Sequence, residues 1–214
     1  KASSVLVTGT AGTGKTSLAA SFAHAACAQG EVCLYFSFEE SKDQICRNMS
    51  SIGLDLHTCL EKGYLQILSE RTSSLGLEEH LTKIIQIINE KTPDVVIMDP
   101  ISNFLSVGKE IEIKIMLTRL LDYLKMKEIT GFFTSLADPD MASEKTNAAI
   151  SSIMDTWLVL RDFYYNNAKR KMFYLLKARG MEHSRQIKEM ELSPGGISLI
   201  EPSFVITHGG ESDD

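Results

Sequence analysis

Two kinds of apolar run alternate along the first two-thirds of the chain. Short, nearly unbroken runs occupy residues 4–7, 32–38, 64–68, 95–99 and 131–136. Such runs suit parallel strands buried on both faces. Between them apolar residues recur every three or four positions, over 17–29, at Leu77, Leu81, Ile84, Ile85 and Ile88, and over 111–128 through Ile115, Leu120, Leu121 and Leu124. That spacing predicts helices with one buried face. Gly30 is placed to close the first helix. Ser41-Lys42-Asp43-Gln44 is a capping box that opens another, ending near Gly53. A short helical piece follows over 54–61, and Pro93 ends the helix that begins near Leu77. Residues 100–108 read as a loop, and residues 137–149 as a polar, mobile one. The pattern then changes to hairpins: 156–163 and 171–177 flank Asn166-Asn167, while 187–192 and 197–200 flank Pro194-Gly195-Gly196. Strand and helix alternate five times before the antiparallel strands begin. This is an α/β pattern: a mostly parallel, right-handed sheet with helices on both faces. Ligands bind such sheets at the C-terminal ends of the strands. Residues 1–208 read as one domain, and the small acidic tail 209–214 as disordered.

The first strand runs into Gly9-Thr10-Ala11-Gly12-Thr13-Gly14-Lys15-Thr16, which fits the phosphate-binding loop of nucleoside triphosphatases. The strand before and the helix after are the setting the motif requires. Glycines let successive backbone N–H groups turn inward around an anion, and the helix that follows adds its positive end. Lys15 is placed for the β- and γ-phosphates of a nucleotide, Thr16 for a Mg²⁺ ion, and Ser17 continues the loop into the helix. ATP and Mg²⁺ are therefore the expected ligands.

Further candidates follow from where strands end. Asp99 closes its apolar strand at the position of a metal-holding acid, the partner of Thr16. Glu39 and Glu40 end the second strand, where a carboxylate can take a proton from an attacking water or hydroxyl. Adjacent side chains on an extended chain diverge, so only one of the two points inward easily. Lys177 and Arg179 end a late strand. The topology does not put them over the loop of the same chain, which leaves a neighbouring subunit's γ-phosphate or a solvated surface. Ser151 and Ser152, at the start of a strand, are read from spacing alone as ordinary hydroxyls.

Composition narrows the classes. The chain has 214 residues and a net charge of −6, which disfavours broad binding of nucleic acid. No apolar run is long enough to span a membrane. The four cysteines, Cys27, Cys33, Cys46 and Cys59, lack C-x-x-C pairing and zinc spacing, and read as structural thiols of a cytoplasmic protein. The chain begins almost at the phosphate loop and reads as a fragment of a longer protein.

Taken together, the motifs resemble one family. The phosphate loop, Phe-Glu-Glu-Ser at 38–41, Ile-Met-Asp-Pro-Ile-Ser at 97–102, Glu-Ile-Thr-Gly-Phe-Phe-Thr at 128–134, Ile-Ser-Ser-Ile-Met-Asp-Thr at 150–156 and Leu-Lys-Ala-Arg-Gly at 176–180 occur in the order found in the KaiC family. These are RecA-like phosphate-loop ATPases related to the cyanobacterial clock protein. The resemblance implies a RecA-like domain, one of a tandem pair, in a hexameric ring with ATP between subunits. It implies that Glu39 and Glu40 are the catalytic carboxylates and that Lys177 and Arg179 contact the ATP of the adjacent subunit. Ser151 and Ser152 match the autophosphorylation pair of the clock protein's C-terminal domain, with serine in place of threonine at the second position. Met154 replaces a hydroxyl residue inside that string. Regulatory partners of the KaiB type are also implied. The expected function is ATP hydrolysis with autophosphorylation of serine, in clock-like or stress signalling. Two other readings stand beside it: a RecA-like motor handling DNA, and an ATP-sensing scaffold without turnover.

Overall fold

A computed structural model describes residues 2–137, 149–180, 182, 184 and 186–202. Strand β1 (Ser4–Gly9) leads through the phosphate loop into helix α1 (Lys15–Ala28). Then follow β2 (Cys33–Ser37), α2 (Lys42–Ser50), α3 (Leu56–Glu61), β3 (Leu65–Ser69), α4 (Leu77–Lys91), β4 (Val95–Asp99), α5 (Glu110–Met126) and β5 (Thr130–Leu136). Two hairpins complete the described chain, β6 (Thr156–Tyr165) with β7 (Ala168–Ala178), and β8 (Lys188–Ser193) with β9 (Gly196–Ile200). All nine strands join one sheet in the order β3-β2-β4-β5-β1-β6-β7-β8-β9. From β3 to β6 neighbours are parallel, and from β6 onward antiparallel. β6 therefore serves twice, as the last parallel strand and as the first arm of a hairpin. β1 lies in the middle of the sheet and carries the phosphate loop at its C-terminal end.

The unbroken apolar runs are explained by two cores, one on each face. Leu6, Leu34, Phe36, Val96, Met98 and Phe133 point to the face covered by α4 and α5. Their neighbours Val7, Tyr35, Ile97 and Phe132 point to the face covered by α1, α2 and α3. Successive residues of a strand alternate in this way, so a strand covered on both sides needs apolar side chains throughout.

The local signals have matching geometry. The Ser41 hydroxyl accepts from the Gln44 N–H while the Gln44 side chain accepts from the Ser41 N–H, so the capping box is complete. The helix α1 ends in a Schellman arrangement: Glu31 N–H reaches Ala26 O and Gly30 N–H reaches Cys27 O, both at 3.0 Å. Asn166 and Asn167 both have positive φ, 49° and 59°, the turn that matches the twist of a hairpin.

Two expectations need correction. Within residues 100–108 lies a 3₁₀ helix, Ile101–Ser106, whose Ile101 and Phe104 are fully buried. Two apolar residues three apart brought onto one face nucleate it. Ser151 and Ser152 are not strand residues. A helical turn through 149–151 precedes β6, and its buried Ile150 and Met154 draw it into the core. Met154 thus packs in the core where a hydroxyl was expected. Most of the polar loop (138–148) and the tail 209–214 lie outside the described residues. All four cysteines are free and buried. Among the described residues, no helix is long and apolar enough to cross a membrane.

Candidate nucleotide site

The loop between β1 and α1 closes on its own lysine. Lys15 is only 8% exposed, and its Nζ donates to Gly9 O at 2.9 Å and Thr10 O at 2.8 Å. Thr13, fully buried, donates through its hydroxyl to Thr10 O at 2.9 Å. Gly9 cannot be replaced without moving this turn, because a Cβ there would lie 2.6 Å from both Thr13 Oγ1 and Leu160 O. Gly14 sits at φ 98°, a conformation that glycine alone adopts without strain, and serves as the N-cap of α1. No side chain caps that helix, and its first turn carries no acid. The unpaired N–H groups of its first turn are therefore left to an anion. Ala11 and Gly12 are exposed, while Thr10, Thr16 and Ser17 are half-buried at the mouth.

Charge converges on this point. Burial pulls the Lys15 ammonium below its usual pKa; Asp99, then Glu39, then Asp162 oppose that, and Lys171 adds to it. Asp99 is buried on the same face of the sheet as α1, because it follows Ile97 by two residues. Both its oxygens accept hydrogen bonds, Oδ2 from the Tyr35 hydroxyl at 2.6 Å and Oδ1 from the Thr134 hydroxyl. Burial first, and then Asp99, hold the Tyr35 phenol well above its ordinary pKa.

The two glutamates differ. Ser37 Oγ donates to Glu40 O at 2.6 Å, and Asn103 Nδ2 donates to Phe38 O at 3.1 Å, so the bend after β2 is fixed at both ends. Glu40 Oε2 accepts from Asn48 Nδ2 of α2 at 2.9 Å. Burial pushes the Glu40 pKa up, the Asn48 amide pulls it back, and Asp99 and Glu39 add to the rise. Glu39 is exposed and lines an open cleft of about 540 Å³ with Arg71, Thr72, Ser102 and Asn103.

The second half of the sheet also bears on the loop. Lys171 of β7 donates to Gly12 O at 2.6 Å and pairs with Asp162 of β6 at 3.0 Å. Met190 and Leu192 of β8 pack over Gly14.

Lys177 and Arg179 lie elsewhere. β7 runs antiparallel to β6, and Lys177 pairs with Trp157, itself opposite Leu6. That is three residues, roughly 10 Å, down the sheet from Gly9. Here Lys177 Nζ donates to Ser151 O at 2.6 Å and Met154 O at 2.8 Å, and Arg179 donates to Ser152 O at 2.5 Å. Burial, and then Arg179, lower the Lys177 pKa. The two cations and the two serines therefore share one end of the molecule, opposite the phosphate loop. Ser151 is buried and Ser152 exposed.

The residues fit the expected ligands. An uncapped helix end and a lysine suit phosphates. A threonine hydroxyl and one carboxylate are hard oxygen donors that suit Mg²⁺, which is usually held by one or two carboxylates plus phosphate oxygens. No group of three or more His, Cys, Asp or Glu side chains among the described residues forms a metal cage of its own. Sequence reasoning missed Tyr35, Thr134, Asn48 and Lys171. Tyr35 had a signal: a hydroxyl inside a strand buried on both faces needs a partner.

The family model described as "ATPase: KaiC" matches residues 1–203. The chain is 46% identical over 203 residues to the circadian clock protein KaiC2 of Synechocystis sp., covering 94% of this chain and 36% of that protein. It is 35% identical over 200 residues to the circadian clock oscillator protein KaiC of Picosynechococcus sp., covering 93% and 39%. The same identity and length hold for the KaiC of Parathermosynechococcus lividus, covering 93% and 37%. The chain thus spans well under half the length of these relatives.

Proposed function

The chain belongs to the KaiC family of ATPases, and from that membership and the site geometry we propose that it binds ATP with Mg²⁺ and hydrolyses it at an interface between copies. The observation that carries this is the convergence of Lys15, Asp99 and Glu39 at the uncapped end of α1. Residues Gly9 through Ser17 cradle the phosphates. Thr16 and Asp99 would hold Mg²⁺, which when bound would supply charge neutralisation at the phosphoryl oxygens. Glu39 faces the open cleft and takes the proton of the attacking water, while Glu40, pinned by Asn48, supports it. The water oxygen bonds to the γ-phosphorus, the bond to the bridging oxygen breaks, and ADP leaves.

Lys177 and Arg179 serve the nucleotide of an adjacent copy, since they sit at the far end of their own sheet. They also anchor the turn that carries Ser151 and Ser152, so this turn is presented at the same interface. A serine hydroxyl of that turn takes the place of water and becomes the phosphoryl acceptor. The ring is a homo-oligomer, hexameric in this reading, within a longer tandem-domain protein of the cytoplasm. Partners of the KaiB type act on the assembled ring in clock-like or stress signalling.

Intact-mass analysis after incubation with Mg²⁺-ATP, with phosphate release followed in the same tube, tests the reading. Wild type is compared with a Ser151→Ala/Ser152→Ala double variant. Phosphate release together with a gain of one or two phosphoryl groups, absent from the double variant, is expected. Release without a mass change removes the kinase and leaves the ATPase. Tight ATP binding with neither signal refutes both in favour of a scaffold.

A further inference from the structure

The side chains around Asp99 form a clamp that the motif does not predict. Tyr35 is directly opposite Ile97 across β2 and β4, so its ring lies diagonally from Asp99, two residues on. Aromatic side chains span that diagonal. On the other side, β5 pairs Phe133 with Met98, which brings Thr134 level with Asp99. The hydroxyls of Tyr35 and Thr134 therefore reach the carboxylate from two different strands, one to each oxygen. Tyr35 and Thr134 are both fully buried, and Asp99 is 4% exposed. Apart from a half-turn that exchanges its two equivalent oxygens, no rotation of Asp99 keeps both bonds, so the carboxylate plane is fixed relative to α1.

We propose that Tyr35 and Thr134 are positioning residues for the metal: by holding one lone pair on each Asp99 oxygen they present the remaining ones toward Thr16 in a single orientation. A carboxylate free to turn has to be ordered each time Mg²⁺ binds, and it has alternative hydrogen-bond partners. A clamped one is already ordered. The effect belongs to Mg²⁺ and leaves the loop's own grip on phosphate untouched, because neither hydroxyl bonds to residues of the loop among the contacts described. Outer partners of metal ligands elsewhere change metal affinity by about 10–100-fold when removed.

The inference rests on the nucleotide-binding reading above, and its test separates the two. The affinity for a fluorescent ADP analogue is measured with Mg²⁺ and with EDTA, for wild type and for Tyr35→Phe, Thr134→Val, Thr134→Ser and Asp99→Asn. The ratio of the two affinities is the readout, and no turnover is needed. Tyr35→Phe and Thr134→Val are expected to cut that ratio about tenfold or more while leaving the metal-free affinity unchanged. Thr134→Ser, which keeps the hydroxyl, is expected to retain it. In the Asp99→Asn background, Tyr35→Phe is expected to add nothing. An unchanged ratio in Tyr35→Phe overturns the proposal. So does an equal loss with and without metal, which marks a merely structural role. If wild type itself binds no nucleotide, both readings fall; if wild type binds with a metal-dependent gain that the variants keep, only this one does.

Discussion

The most discriminating stability prediction concerns Gly53, in the turn between α2 and α3. Its φ is +76°, and a Cβ built there lies 1.8 Å from the carbonyl oxygen of Pro194, at the tip of the β8–β9 hairpin. Gly53→Ala therefore meets two penalties. The left-handed conformation costs an alanine about 1–2 kcal/mol. Moving the hairpin tip by the distance the overlap demands adds about 1–3 kcal/mol. Gly30→Ala is the control. Its φ is +79°, and nothing lies within 4 Å of the added methyl, so only the first penalty applies. Both substitutions stiffen the unfolded chain to the same degree, and that contribution cancels in the comparison. At roughly 2–4 °C per kcal/mol for a chain of this size, Gly53→Ala should lower Tm by roughly 4–20 °C, and Gly30→Ala by roughly 2–8 °C. Thermal unfolding of the two variants side by side gives the difference. The displaced hairpin also carries Met190 and Leu192 away from Gly14, so nucleotide affinity should weaken in Gly53→Ala alone. Equal Tm losses in the two variants would refute the claim that the hairpin is seated on this turn.

Glu39→Gln should lower kcat for ATP by about 10²–10⁴ with little change in KM, whereas Glu40→Gln, whose amide oxygen still accepts from Asn48, should lower it far less; steady-state phosphate release distinguishes them, and the reverse order would exchange their roles. Asp155 supplies a pH test. Burial opposes its ionisation, but the Ser4 N–H and hydroxyl and the Lys125 ammonium outweigh it and hold its pKa below the ordinary aspartate value. A depressed folded-state pKa gives stability that is present above the unfolded value of about 4 and lost as pH falls through the folded one. Urea midpoints for wild type should therefore exceed those of Asp155→Asn at neutral pH and converge with them as pH falls well below the unfolded aspartate value; a gap that persists in strong acid would count against the linkage.

Much of this architecture is legible in the apolar runs, because a strand covered on both faces leaves no room for a polar position. The run 95–99 shows both its burial and its exception, since Asp99 is the one acid in it. The capping box at Ser41 and the Asn166-Asn167 turn are equally local, and local signals survive in the sequence. What did not survive were facts of register. Nothing in the sequence pairs Thr134 with Asp99, 35 residues away, or Lys171 with the carbonyl of Gly12, 159 residues away. The 3₁₀ helix at Ile101–Ser106 was hidden because residues beginning with a proline and rich in serine and asparagine look like loop, although Ile101 and Phe104 lie one 3₁₀ turn apart. The helical turn at Ser151 escaped for a similar reason: its described residues, 149–151, carry no periodicity of their own, and the core is what holds them.

One arrangement has a thermodynamic corollary. Lys177 spends two of its three N–H donors on the carbonyls of Ser151 and Met154, and Arg179 spends one of its five on Ser152. Among the described contacts one donor of Lys177 and four of the exposed Arg179 are left over. In the proposed ring, an anion arriving from a second molecule would meet cations whose position depends on the order of the serine turn, and the turn would feel the charge that arrives. Linkage makes such an influence reciprocal. In that ring, whatever factor an ordered turn contributed to holding the neighbour's phosphates, those phosphates would return to the turn. A modification that loosened the turn would be read next door as weaker nucleotide affinity, with no other moving part required.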